Sequence, residues 1–199
     1  MSNKTEQLKK ILDQIWKLKK SPLYPYRKAN NYYPVIGEGN HDTQIMFIGE
    51  APGKNEAEQG RPFVGAAGKI LAELLQYIGL TREDVYITNI VKDRPPENRD
   101  PTKEEIDLYA PFLDQQIAII QPAVIATLGR FSMSYLLNRY NASEKDQSIS
   151  KLHGSVISIT DDFGRVSLVP LYHPAVALYN ANQMNTLKKD FEVLRQFVK

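Results

Sequence analysis

Apolar positions along this chain fall into two alternating patterns. Leu8, Ile11, Leu12, Ile15 and Trp16 recur at helical spacing, so residues 5–19 read as an amphipathic helix. Ile70, Leu71, Leu74, Leu75 and Ile78 make a second stripe, which Gly79 stops. A third helix opens at Pro101-Thr102-Lys103-Glu104-Glu105 and runs to position 120, and two more are predicted over 131–137 and 184–198. Between the helices lie short runs of branched and aromatic residues, over 44–48, 85–90, 123–128 and 166–171, each bounded by turn residues and read as a strand.

Strand and helix alternating in this way predict an α/β fold, a three-layer α/β/α sandwich around a central, mainly parallel four-stranded sheet. Residues 21–33 are rich in proline and tyrosine and are expected to form an ordered loop, as is the polar stretch 141–150. No repeat or linker interrupts the pattern, so residues 1–199 are expected to be a single domain.

Composition narrows the function classes. Lys plus Arg is 25 against 23 for Asp plus Glu, a net charge of +2 that permits a nucleic-acid partner only through a local patch. The absence of cysteine excludes disulfides and thiolate metal sites and fits a reducing compartment. Apolar runs fall short of the ~18 residues that span a bilayer. The first residues, Met1-Ser2-Asn3-Lys4, lack the apolar core of a secretory signal. A cytoplasmic protein with no membrane contact is expected.

Chemistry concentrates after three of the strands. Gly49-Glu50-Ala51-Pro52-Gly53 follows the first, and Gly60-Arg61-Pro62-Phe63-Val64-Gly65 leads into the next helix. A loop this rich in glycine and proline exposes backbone amides at the carboxyl edge of a sheet. With a carboxylate (Glu50) and a ring (Phe63) it suits a flat, polar ligand. Thr88-Asn89-Ile90-Val91-Lys92 and His173-Pro174-Ala175 end two further strands. Each residue also has a plain structural reading: Phe63 as packing, Asn89 as a loop cap, His173 as a satisfied buried histidine, Glu50 and Glu56 as solvated carboxylates.

These motifs, with Gly37-Glu38-Gly39-Asn40 and Arg94-Pro95-Pro96-Glu97-Asn98-Arg99, appear in the order found in the uracil-DNA glycosylase superfamily, and the chain resembles its family 4 most closely over residues 37–178. The resemblance implies hydrolysis of the N-glycosidic bond of deoxyuridine in single- or double-stranded DNA, releasing uracil. The site motifs offer no amine nucleophile, so no strand cleavage is expected, and a monomer that needs no cofactor in the reaction is expected. Phe63 then stacks on the flipped base, with Glu50, Ala51, Pro52 and Gly53 around it. The Asn89 amide matches N3–H and O4 of uracil, where cytosine presents the reverse pair. His173 donates to O2 of the departing base, Glu50 is a candidate to hold the attacking water, and Glu56 excludes the methyl group of thymine. Lys54, Arg61, Lys69, Lys92, Arg94, Arg99 and Arg130 are candidates for a phosphate-binding rim, Gly129 and Pro174 for backbone contacts, and Leu178 or Val176 for a wedge in the duplex.

The chain departs from the family in two places. Tyr179 stands where an arginine is usual. Family 4 enzymes also hold a four-iron, four-sulfur cluster on cysteines whose positions correspond to Pro22, Pro25, Asp93 and Tyr109 here, so packing, with Tyr109 buried against residues 20–33, is expected in its place. Two rival readings stay open at this stage: a protein that binds lesions without cleaving, and a glycosylase for deaminated purines such as hypoxanthine.

Overall fold

A computed structural model describes residues 3–180 and 182–198; the outermost residues of the expected 1–199 domain, Met1 and Ser2 of the N-terminal reading among them, lie outside the described residues. The chain runs through α1 (Asn3–Trp16), α2 (Tyr24–Ala29), β1 (Glu38–Gly39), β2 (Ile45–Gly49), α3 (Lys54–Gln59), α4 (Ala66–Tyr77), β3 (Tyr86–Asn89) and α5 (Lys103–Ile120). It continues through β4 (Val124–Leu128), α6 (Arg130–Arg139), α7 (Ile149–Leu152), β5 (Ile157–Asp161), β6 (Gly164–Leu171), α8 (Val176–Tyr179) and α9 (Gln183–Glu192).

The sheet has six strands in the order β1-β3-β2-β4-β6-β5, not the four expected. The four expected strands are its parallel centre, β3-β2-β4-β6. The two additions are antiparallel edges: β1 is only two residues long, and β5 forms a hairpin with β6. β2, β3 and β4 are buried along their whole length and β6 over residues 168–171, whereas β5 alternates between buried and exposed, as a strand covered on one face does.

Side chains of alternate parity supply two cores. Met46, Ile48 and Ile125 pack with Leu8, Ile11 and Ile15 of α1 and Leu113 and Ile117 of α5 on one face. Phe47, Val124 and Ala126 pack with Leu71, Leu74 and Leu75 of α4 and Phe191 of α9 on the other. The result is the three-layer sandwich. A capping box starts α5, with Thr102 Oγ1 accepting from the Glu105 N–H and the Glu105 carboxylate accepting from the Thr102 N–H. None of the described helices is long and apolar enough to cross a membrane.

Residues 21–33 depart from the expected loop by forming α2, and that helix delivers Arg27 into the corner where the family cluster would sit. The Tyr109 hydroxyl reaches Asp93 at 2.6 Å and Ser21 at 2.8 Å, with Tyr109 fully buried as expected. Arg27 Nη1 donates to both Asp93 oxygens, at 3.0 and 2.9 Å, and its guanidinium also caps the carbonyls of Ile15 and Trp16. An arginine therefore supplies most of the bonds to Asp93, while Tyr24 packs on the guanidinium and Tyr26 on Arg94. These residues do not fit an iron–sulfur cluster: they offer no thiolate, and their polar atoms already satisfy one another.

Candidate functional site

The parallel strands end together, and their ends build one cavity of about 460 Å³. Its wall includes Glu50, Ala51, Gly53, Glu56, Phe63, Asn89 and His173, residues from three separate motifs. Gly49 and Asn89 are register partners at the ends of β2 and β3. A side chain at Gly49 would put Cβ 2.3 Å from Asn89 Oδ1 and 2.8 Å from Phe63 Cζ, so glycine here lets the amide and the ring converge.

Phe63 sits at φ 50°, the left-handed region that a bulky residue occupies only when its surroundings impose it. Two contacts do so. Gly68 of α4 lies against it so closely that a Cβ would stand 1.9 Å from the Phe63 carbonyl oxygen. Arg82 donates to the carbonyls of Phe63 at 2.9 Å and Pro62 at 2.6 Å, and is itself held by Glu38 at 2.6 Å. Glu56 fixes the other side of this loop, its Oε1 accepting from the Val64 and Gly65 N–H groups at 2.8 and 2.7 Å at the start of α4. The carboxylate thus has a structural task besides lining the cavity.

His173 stands 5.7 Å from Phe63, ring centre to ring centre. The Ala175 N–H donates to His173 Nδ1 at 3.2 Å. A backbone N–H can only donate to an unprotonated nitrogen, so a neutral ring carries its proton on Nε2. Burial pushes the His173 pKa down to about 4, which keeps the ring neutral at pH 7. Gly129, at φ +100°, lets the start of α6 pass beside it, where an added Cβ would stand only 3.4 Å from His173 Cβ.

Glu50 is the carboxyl group of the cavity that is shifted towards neutrality. Burial, reinforced by the negative charge of Asp100, raises its pKa to about 7, and Arg130 opposes the rise. Asp100 and Arg130 form an exposed ion pair at 2.5 Å at the mouth. Asn98 and Asp100 line the cavity with Ala67 and Ala175, and none of the four stands out in the sequence by residue type. Asn98 and Asp100 do carry a positional signal, because they sit in and just after the polar run that follows β3. The run is braced by Arg94 Nε donating to Asn98 Oδ1 at 2.8 Å and by the Arg99–Glu105 pair.

Several expected contact residues lie elsewhere. Lys92 is not on the rim: it is fully buried, with Nζ donating to Thr88 Oγ1 at 2.8 Å, the Asn89 carbonyl at 2.5 Å and Gln116 Oε1 at 2.5 Å. Burial pushes its pKa well below the usual lysine range, while three acceptors around one nitrogen call for all three protons of an ammonium. Arg94 is also largely buried and committed to Tyr32 and Asn98, and Arg61 is bound to Glu38. Pro52 and Pro174 are buried and do not line the cavity, so they shape the loops from behind. Lys54, Arg61, Lys69, Arg99 and Arg130 remain exposed, Arg61 in its pair with Glu38 and Arg99 in its pair with Glu105. Val176 packs on the core, whereas Leu178 is 47% exposed. His41 and His153 serve structure, bonded to Thr5 and Asp190.

The chain is similar to known proteins over almost its whole length. The family model described as the uracil DNA glycosylase superfamily matches residues 36–197. A type-4 uracil-DNA glycosylase of Saccharolobus solfataricus is 46% identical over 96% of this chain and 86% of its own length. One from Sulfurisphaera tokodaii is 45% identical over 96% and 84%. One from Thermotoga maritima is 40% identical over 100% and 98%.

Proposed function

The chain belongs to the uracil DNA glycosylase superfamily, and from that premise we propose that it is a uracil-DNA glycosylase of base excision repair, hydrolysing the N-glycosidic bond of deoxyuridine in DNA. The observation that carries the proposal is the convergence of the Asn89 amide, the Phe63 ring and the His173 imidazole on one cavity across a glycine. The reading takes residues 1–199 as a single domain acting as a monomer in the cytoplasm.

In this reading a uracil turned out of the stack enters edge-first. Phe63 covers one face. Asn89 accepts from N3–H and donates to O4, and cytosine meets the same amide with donor against donor. The neutral His173 donates from Nε2 to O2 as the C1′–N1 bond breaks. The electron pair of that bond leaves with the base, and one donor aimed at the developing anion is worth about 10²–10³ in rate. Water adds to the oxocarbenium-like C1′, and ionised Glu50 orients it and takes its proton. The products are uracil and an abasic site, and no lysine of the chain acts as a nucleophile.

The test is base release from single-stranded and duplex oligonucleotides carrying uracil, hypoxanthine or xanthine. Uracil release with an intact strand is the expected outcome. Release of hypoxanthine alone, or lesion binding without release, would replace this reading with one of its rivals. A borohydride-trapped covalent adduct would remove the monofunctional assignment.

A further inference from the structure

Residues 14–37 hold five lysines or arginines and five aromatic residues but no carboxylate. The fold gathers this segment into an open groove lined by Trp16, Tyr24, Lys28, Asn31, Tyr32 and Tyr33, with Arg27 beneath. Trp16 meets Tyr33 edge to face at 5.9 Å, and the Arg27 guanidinium lies 5.4 Å from the Trp16 ring and 5.2 Å from Tyr24. Asp93 anchors that guanidinium from below, so the rings stand on a fixed support. Packing alone does not use these rings up, since Trp16 and Tyr33 remain 43% and 51% exposed.

Hydrogen bonds tie the groove to the elements of the candidate site at two points. The Tyr33 N–H donates to the carbonyl of Ala57 in α3, the helix that carries Glu56, and Gly60 packs on Tyr33. The Tyr32 hydroxyl accepts from Arg94, whose Nε holds Asn98 on the cavity wall. Exposed rings beside Lys28, which makes no ion pair among the described residues, match a polymer with flat, uncovered bases and a negative backbone. A duplex offers the charge but hides the faces of its bases.

We infer that this aromatic and basic groove binds single-stranded DNA next to the flipped nucleotide, with bases stacking on Trp16 and Tyr33 and phosphates near Lys28. The inference extends the proposed function by giving the site a strand preference, and its test needs no uracil.

Trp16 is the sole tryptophan, so its emission reports this groove directly. Titrating the full chain with uracil-free oligothymidylate should quench that emission saturably, and added salt should weaken the effect. Duplex of equal length should quench less. Tyr33→Leu should raise the Kd for oligothymidylate about tenfold, the effect of one lost stack, and Lys28→Glu should weaken binding and flatten its salt dependence. Binding detected by anisotropy of a labelled strand with Trp16 emission unchanged would overturn the inference, as would equal quenching by duplex or no binding at all. Quenching without uracil release sinks the proposed function and leaves this inference standing. Uracil release with Trp16 silent does the opposite.

Discussion

The backbone N–H of Ala175 donates to Nδ1 of His173, and this one bond decides which ring nitrogen can serve as a donor. With burial holding the pKa near 4, the ring is a neutral Nε2–H donor throughout the neutral range. His173→Ala should lower the single-turnover rate by about 10²–10³ with little change in DNA affinity. Between pH 5 and 8 the parent profile should carry no inflection that this substitution removes. A parent-like rate would take His173 out of the reaction.

Glu50 should supply the inflection that His173 does not. Its pKa is raised to about 7, and the carboxylate form is the one that accepts a proton from water, so kcat/KM should rise with pH through about 7 and then level. Glu50→Gln should flatten the profile. Asp100→Asn removes a charge that disfavours ionisation, so the midpoint should move down, whereas Arg130→Gln should move it up. A profile unaffected by Glu50→Gln would leave the water to be placed by some other group.

Asn89→Ala should impair base capture and discrimination together, and Asn89→Asp should admit cytosine by reversing the donor and acceptor at one position. Steady-state comparison of uracil and cytosine substrates measures both. Retained discrimination in the alanine variant would show that another group reads the base edge.

Lys92 braces Asn89 from behind through the Asn89 carbonyl. Lys92→Met keeps the bulk but strips three buried acceptors of their donor, and should cost about 3 kcal/mol or more in denaturant unfolding. Its kcat should fall as the end of β3 loosens, and Lys92→Gln should recover part of both losses. Unchanged stability in Lys92→Met would mean that the acceptors find other partners.

The corner around Tyr109 should behave as packing with a buried ion pair. Arg27→Met leaves Asp93 charged and unpaired and should cost about 3–5 kcal/mol, and Tyr109→Ala about 3 kcal/mol, both without a direct effect on the chemical step. The purified protein should be colourless and indifferent to chelators. Visible absorbance that disappears on chelation would contradict this account.

What could be read from the sequence was what periodicity and motif order encode. The four central strands and the long helices followed from continuous apolar runs and 3.6-residue stripes, and the cavity drew on loops already marked by glycine and proline. The missed elements are short or sit at edges. β1 has two residues, β5 alternates under the cover of a single layer, and α2 and α3 have six residues each, below the length at which a stripe becomes legible.

Lys92 departs from its sequence reading for a different reason. A lysine in a loop motif is normally solvated, and nothing local announces that Thr88, Gln116 and a carbonyl will close over it. Asp100 and Asn98 reach the cavity only because a turn with Glu97 and Asn98 both at φ 55° brings that run back towards β3. Such long-range returns have no periodic signature.

Gly68 sets a limit on how this pocket can be remodelled. Because the backbone of α4 lies directly behind the Phe63 carbonyl, the stacking wall cannot retreat without displacing a helix whose far side is bolted into the sheet by Leu71, Leu74 and Leu75. Room for a two-ring base must therefore come from the opposite wall, at Ala51, Gly53 or Ala175, where side chains are already small. Selection for a larger substrate, in nature or in a library, should leave the Phe63 loop untouched and spend its changes there.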